Sequence, residues 1–421
     1  MNNKLFILTL FYLGTFYKEA DMRSFISLEE AIDILNKEVN NLGYEEVTLF
    51  NGLKKVLSED VYSKINNPPF NKSAMDGYAL RAEDAFINNE LKVIDKVYAG
   101  GVCKSFVTKN TAIKIMTGAP IPEGANAVIK QENVILEGNN IVIRSNLKAN
   151  ENVCIEGEDI SKGDLLISSN KKLDYADIGI LASSGIDKIK VFKKPRIAFV
   201  STGDEVMDVE ENLLEGKIYN SNKYSIISRI LELGYDVKKI LHIKDDYKEI
   251  GNAIEEISKE VDMIITTGGV SVGEKDLLKN AIEVTSGEKL FWKIMIKPGS
   301  AVLCSKVNEA IVISLSGNPT AALTTFELLA KTTLEKLSGY KEIKIKREKA
   351  ILADGNIKKS SKRKFVRGYV EIKDCNQYVY VTQRKSGNGI LSSTINSNCI
   401  IEIQANNEEI QTGDLVDIIK L

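Results

Sequence analysis

Four short stretches in the middle of the chain carry residues whose types and spacing could do chemistry. "STGDEV" (201–206) places Gly203, Asp204 and Glu205 directly behind the apolar run "RIAFV". "KDD" (244–246) holds Asp245 behind "DVKKILHI". "TTGGVSVGEKD" (266–276) pairs Gly268 with Gly269, adds Ser271 and Gly273, and ends on Asp276. "SGNPT" (316–320) sets Asn318 and Pro319 ahead of a long helical run. A glycine pair either turns backbone N–H groups toward an anion or simply closes a tight turn. Glu205, Asp245 and Asp276, gathered at one end of a sheet, repel one another unless a cation such as Mg2+ sits among them. The alternative is that they are helix N-caps. "FWKIMIKPG" (291–299) supplies the opposite charge. If extended, its period of two puts Lys293 and Lys297 on one face, turned to a polyanion or to solvent, with Trp292, Ile294 and Ile296 on the other. Loop, acids and lysines together suit a phosphoanhydride or nucleotide-linked substrate. The absence of GxxxxGK[ST] excludes a P-loop NTPase.

The elements that must position these loops follow from the pattern around them. Strand-like and helix-like runs alternate from 195 to 340, which predicts a parallel sheet covered on both faces, with ligands bound beyond the carboxyl ends of its strands. Before it, from about Glu46 to Lys190, short β-like runs broken by Gly, Pro and Asn suit an antiparallel barrel or sandwich. "YADIGILASSG" then returns to helix, so this β segment reads as an insertion into a helical frame. "ISLEEAIDILNKEV" carries a capping box at Ser27 and Glu30 and an apolar stripe of Leu28, Ala31, Ile32 and Leu35. The last 75 or so residues lose helical periodicity and suggest a small β domain.

Composition narrows the function classes. Of 421 residues, 43% are apolar and 27% charged, the balance of a soluble multidomain protein with a sizeable core. A net charge of −2 gives no global field for nucleic acid or a membrane surface, and the basic run 358–364 ("KKSSKRK") reads as a solvated loop. Five scattered cysteines without a CxxC pair argue against disulfides and zinc, and fit a reducing cytoplasm. The single histidine, His242, is expected at a packed strand position. The 13-residue apolar run 5–17 is too short to span a bilayer comfortably. Met22 is the expected working start, with residues 1–21 a leader outside the fold.

Several of these stretches together resemble a known family. "NPPFNKSAMDGYALRAED" (67–84) is similar to the SAMDGYA signature of the molybdopterin molybdenumtransferases, the MoeA and gephyrin E-domain family. "IMTGAPIPEGANAVIKQE", "EGEDI", "STGDE", "TTGGVSVGEKD", "FWKIMIKPG" and "SGNP" follow in the family's order, from about Phe25 to the end of the chain. The resemblance implies a homodimer of elongated, multidomain α/β plus β subunits. Its parts would be a helical domain (24–62 and 165–192), an inserted β domain (63–164), an α/β parallel-sheet molybdopterin-binding domain (193–341) and a C-terminal β barrel (345–421). It implies insertion of molybdenum from molybdate into adenylylated molybdopterin, with release of AMP and with Mg2+ as cofactor. Glu205, Asp245 and Asp276 would surround metal and pyrophosphate, while Lys293 and Lys297 hold oxyanions. Asp76, Thr117 and Asp159 would be catalytic. Gly268, Gly269, Ser271, Gly273, Asn318, Pro319 and Ser386 would bind substrate. The pterin adenylyltransferase is a further candidate partner.

Three departures from the family pattern remove cations or reshape loops. Cys154 and Ile155 stand where two arginines are expected, Ser316 replaces a proline, and Ser300 replaces a basic residue. The alternative they raise is a diverged, non-catalytic paralogue that binds or carries the pterin.

Overall fold

A computed structural model describes residues 23–270, 277–382 and 390–421, which form two units. The first contains the described residues up to Tyr44 together with Phe192–Leu421. It begins with β1 (Arg23–Ile26) and α1 (Leu28–Glu38). Ser27 caps α1 by accepting from the Glu30 amide at 3.1 Å, but the reciprocal half of the expected capping box is not formed. Leu28, Ala31, Ile34 and Leu35 make the buried stripe, and Ile32 is only partly buried.

The predicted alternation follows as β2 (Ile197–Thr202), α2 (Ser221–Glu232), β3 (Val237–Ile243), α3 (Tyr247–Ser258), β4 (Met263–Thr267) and α4 (Leu277–Glu283). Next come β5 (Glu288–Ile294), β6 (Ile296–Lys297), β7 (Val302–Val307), β8 (Ala310–Leu315) and α5 (Pro319–Thr325). A π-helical turn, Phe326–Ala330, carries α5 on into α6 (Lys331–Leu337). The sheet order is β1-β5-β7-β8-β4-β2-β3. Strands β8, β4, β2 and β3 are mutually parallel and carry the chemically loaded loops at their carboxyl ends. The two-residue connection Asn308–Glu309, with Asn308 at φ 50°, turns β7 and β8 into an antiparallel hairpin that extends this parallel sheet. Every residue of β2, β4 and β8 is buried, as strands sandwiched between two helical layers must be. His242 differs from expectation. It lies on β3, the edge strand, so its alternating position is exposed instead of packed.

The C-terminal region contributes β9 (Glu348–Asp354), β10 (Arg363–Lys373), β11 (Asn376–Val381), β12 (Cys399–Ile403) and β13 (Leu415–Lys420). Their order β10-β11-β9-β13-β12 closes into a barrel through a β10–β12 pairing. Strand β6 adds to the barrel by pairing with β10, which fixes Ile296 and Lys297 beside Arg363 and Lys364. Two residues thereby leave the large sheet and join the barrel.

The second unit spans Glu45–Val191. Its six-stranded sheet runs Ala127–Lys130, Gly77–Leu80, Thr111–Ile115, Glu90–Val97, Asn140–Ile143 and Val134–Glu137. The predicted helix is Tyr175–Ser183, started by a complete capping box between Asp174 and Asp177. It packs with Leu57, Leu173, Ile189 and Val191 in a core separate from those of the sheet. All five cysteines are free. Among the described residues no helix is long and apolar enough to cross a membrane.

Candidate active site

The glycine loop after β4 is built by steric need. Gly268 has φ +93°, and a Cβ there would lie 2.5 Å from the Thr202 carbonyl oxygen and 2.7 Å from its hydroxyl. Gly269 has φ +66° and would meet Leu278 at 2.6 Å. Gly317 of the loop after β8 approaches Gly268 so closely that its own added Cβ would touch Gly268 Cα at 3.6 Å. Two bare backbones therefore meet beyond the carboxyl ends of β4 and β8. Ser271, Gly273 and Asp276 lie outside the described residues, as do residues 1–22 and Ser386.

Buried polar groups gather around this junction. Asn222, near the start of α2, donates to the Gly317 carbonyl at 2.8 Å, yet among the described residues its own Oδ1 has no partner. The hydroxyls of Thr320 and Thr266 are likewise buried and unpartnered. Eleven buried side-chain polar atoms lack a partner among the described residues, and these three lie together at the ligand-binding end of the sheet, where they are free to bond a polar ligand. Neither Asn222 nor Thr320 was singled out by spacing. Their signal was polar residues placed at helix starts just behind strand ends, in "YNSNKYS" and "SGNPT". Ser201 sits beside them, receiving Asn220 Nδ2 at 2.9 Å and lying 3.0 Å from His242 Nδ1.

The acids are placed on adjacent loops. Glu205 folds its carboxylate back over Gly203, where an added Cβ would lie 2.9 Å from it. The Asp245 amide donates to the Asp204 carboxylate at 3.3 Å. The N-cap of α3 is Asp246, which accepts from the Lys248 and Glu249 amides, and not Asp245. Among the described residues no three His, Cys, Asp or Glu side chains sit at metal-holding spacing. Asp204, Glu205 and Asp245 are hard oxygen donors of the kind Mg2+ takes.

The lysines do not share one face. The extended run breaks at Lys293, which adopts φ 62° and ends the period of two. Lys293 is buried, its ammonium 3.5 Å from the Trp292 ring centroid and 5.2 Å from that of Phe25. Ser300 closes this bulge by donating to the Ile294 carbonyl at 2.7 Å, while Ile294 N–H returns to Ser300 at 3.1 Å. Lys297 is instead exposed, on β6, and lines a cleft of about 440 Å³.

Other walls of that cleft are Ser300, Ser316 and Asn318, with Ser360, Ser361 and Lys362 opposite. The start of the basic run is an exposed loop, as expected, and its Ser360, Ser361 and Lys362 also form a wall of this cleft. Lys364 lies in register with Lys297. Burial first, then the charges of Lys297 and Lys358, hold the Lys364 ammonium below the usual lysine range. Like charges crowded this closely favour an anion among them. Asn318 uses its side-chain oxygen to cap α5 at Thr320 and Ala321, with Pro319 at the first helical position. Ser316 accepts from the Asn318 amide at 3.2 Å.

In the 45–191 unit, Asp76 and Thr117 are joined directly. One Asp76 oxygen accepts from the Thr117 amide at 2.7 Å and from its hydroxyl at 2.8 Å. These two bonds, the amide first, hold the exposed Asp76 carboxyl below its ordinary range. Asp159 accepts from Asn67 Nδ2 at 3.1 Å, and its amide donates to the Asn67 carbonyl. Cys154, at a position where an arginine is expected, pairs in register with Lys72, two residues ahead of Ala74. Burial is the main cause that raises the Cys154 thiol, Glu158 adds to it, and Lys72 opposes it.

Comparison with known proteins covers almost the whole chain. Residues 26–185 match the MoeA N-terminal region (domain I and II), 198–336 a probable molybdopterin binding domain, and 349–421 the MoeA C-terminal region (domain IV). A molybdopterin molybdenumtransferase of Haemophilus influenzae is 35% identical over 376 residues, 89% of this chain and 93% of that protein. One from Staphylococcus aureus (strain MSSA476) is 33% identical over 404 residues, 95% of this chain and 96% of its own length. The crystal structure of the molybdopterin biosynthesis MoeA protein from Pyrococcus horikoshii OT3 superposes with a TM-score of 0.78. That pair is 32% identical and covers 94% of this chain and 100% of the other. Motifs, sheet, barrel and whole-chain identity converge: the chain belongs to the MoeA family.

Proposed function

We propose that this protein is a molybdopterin molybdenumtransferase, which inserts molybdenum from molybdate into adenylylated molybdopterin and releases AMP. The observation that carries this reading is the cleft bearing Lys297 and Lys362, with Lys364 in register behind it. Two lysines on the wall of one cleft suit an oxyanion, and they would stabilise the negative charge that grows on the phosphate as the phosphoanhydride breaks. Lys362 supplies a cation close to Ser300, where the family pattern would place one. That favours an enzyme over a non-catalytic carrier.

The remaining roles follow from the local chemistry. Gly268, Gly269 and Gly317 let the loops after β4 and β8 meet backbone to backbone, and Asn222 and Thr320 would offer the pterin their unsatisfied oxygens. Asn318 and Pro319 hold the start of α5 against the cleft. Glu205 and Asp245 would hold Mg2+, with Asp276 as a third carboxylate, and bound Mg2+ neutralises charge on the pyrophosphate oxygens. Lys293, buried with its ammonium over the rings of Trp292 and Phe25, would hold an oxyanion of the substrate. Asp76, held ionised by Thr117, is an acceptor for substrate N–H groups, and Asp159 serves likewise; Ser386 would bind substrate. A homodimer is supported by large apolar side chains that the 45–191 unit leaves exposed, among them Phe50, Val102 and Tyr175. Five free cysteines agree with a cytoplasmic setting.

The test is to incubate the protein with adenylylated molybdopterin, Mg2+ and molybdate and to follow AMP. The reading predicts AMP release that depends on molybdate. Retained pterin with no AMP above the molybdate-free control would replace it with the carrier.

A further inference from the structure

Arg363 opens β10, between Lys362 of the cleft wall and Lys364, which lies in register with Lys297. Along an extended strand neighbouring side chains leave on opposite faces, so Arg363 turns away from Lys364. There its guanidinium is taken up. Nη1 donates to Glu29 at 2.5 Å, and Nη2 pairs with Glu402. Among the described residues its Nε is buried and unpartnered, so Glu29 and Glu402 fix where the fork points. Glu402 also accepts Arg347 Nε at 2.6 Å, and Arg347 Nη2 lies 3.9 Å from Glu29. Two arginines and two glutamates thus alternate around a closed ring.

The members of the ring contribute differently. Glu402 is buried on β12 and holds both arginines. Glu29 keeps 59% of its side chain in solvent and comes from the first turn of α1, outside the C-terminal region. An ion pair so exposed adds little to stability. What it adds is a tether across the cleft. The Met295 amide, midway between Lys293 and Lys297, donates to the Ile26 carbonyl at 2.8 Å, and β1 pairs with β5. Glu29 stands three residues beyond Ile26. Its grip on Arg363 therefore ties the chain that bears Lys297 to the strand that bears Lys364. The direct β6–β10 pairing spans two residues, Ile296 with Arg363 and Lys297 with Lys364, and so short a ladder by itself fixes the barrel to the sheet at one point.

We infer that Glu29 is a positioning residue for the oxyanion cleft. Through Arg363 it holds Lys362 and Lys364 at a fixed spacing from Lys297, so the ammonium groups are in place before the oxyanion arrives. Charges set in advance need no ordering when the ligand binds, and affinity is higher for that reason. This role rests on the reading of the cleft as the molybdate site.

Glu29→Ala removes the tether at an exposed helical position that alanine suits. Its melting temperature should change by no more than about 3 °C, the effect of an exposed ion pair. The half-saturating molybdate concentration for AMP release should rise by about threefold to tenfold, up to the loss of one charge-assisted contact, with turnover at saturation unchanged. Glu29→Gln keeps an acceptor for Arg363 without the charge and should fall between. In a Lys362→Met background Glu29→Ala should add less than it does alone, since residues that act through one another are not additive. Hydrogen exchange over residues 359–365 should be faster in Glu29→Ala than in the wild type. Unchanged molybdate dependence, full additivity with Lys362→Met, or a loss of turnover alone overturns the inference. Should the wild type release no molybdate-dependent AMP, the transferase reading falls and hydrogen exchange decides the rest: unchanged protection over 359–365 overturns the positioning role as well.

Discussion

Gly268→Ala is the perturbation whose size the structure states most directly. Two effects add at this position. A φ of +93° lies where an L side chain is strained, at about 1–2 kcal/mol. The new methyl would also sit 2.5 Å from the Thr202 carbonyl oxygen, a backbone atom that cannot swing away. Overpacking of that kind costs about 1–3 kcal/mol. The sum, about 2–5 kcal/mol, lowers the melting temperature of a unit this size by about 2–4 °C for each kcal/mol. Gly355→Ala is the matched control, with φ +80° and nothing within 4 Å of the added Cβ, so only the backbone strain applies. Thermal unfolding of both variants, together with AMP release at saturating molybdate, separates the two contributions. Gly268→Ala should lose more stability than Gly355→Ala, and it alone should lose turnover after correction for the folded fraction. Equal destabilisation, or full turnover in the folded Gly268→Ala protein, would refute the claim that the bare backbone is kept for a close approach at the site.

Two other perturbations bear on the account. Thr117→Val deletes one of the two bonds to Asp76, so the Asp76 carboxyl should rise toward the ordinary aspartate range. A carboxyl-carbon NMR titration reads this, and an unmoved titration would show that the hydroxyl bond does not hold the charge. Because the folded-state value is depressed, the stabilising effect is present above the unfolded value and disappears as pH falls through the folded one. Glu402→Gln removes the buried carboxylate that receives Arg347 Nε at 2.6 Å and also pairs with Arg363. Breaking it should cost about 3 kcal/mol, the low end for a buried pair because Arg347 remains partly hydrated. Urea unfolding followed by barrel-specific hydrogen exchange would show no change if the network were only decorative.

Much of the site was legible because it is local. Strand, glycine loop and helix follow one another within a dozen residues around Gly268, and sterics of neighbouring residues dictate that turn. The SAMDGYA and GED stretches are likewise short, and Thr117 proved to bond Asp76 directly. What stayed hidden depends on distant pairing. Nothing in "FWKIMIKPG" says that Lys293 will take φ 62° and break the period, or that Lys297 will leave for the barrel. A solvated basic loop and the wall of an anion site have the same composition, so nothing in the sequence marks Lys362, which lies just ahead of the β6–β10 pairing and lines the cleft. Asn222 and Thr320 looked like ordinary helix-start residues, and only their unsatisfied oxygens distinguish them. His242 was misplaced for a simpler reason, since periodicity does not reveal which strand lies at a sheet's edge.

The central claim is that the Lys297 and Lys362 cleft binds the oxyanion that becomes the product's metal. The most direct measurement is the molybdate concentration dependence of AMP release in the wild-type protein and in Lys297→Met and Lys362→Met. Each substitution should raise the half-saturating molybdate concentration about tenfold or more, as loss of a charge-assisted contact requires, with affinity for adenylylated molybdopterin little changed by Lys362→Met. Unaltered molybdate dependence in both variants would contradict the account.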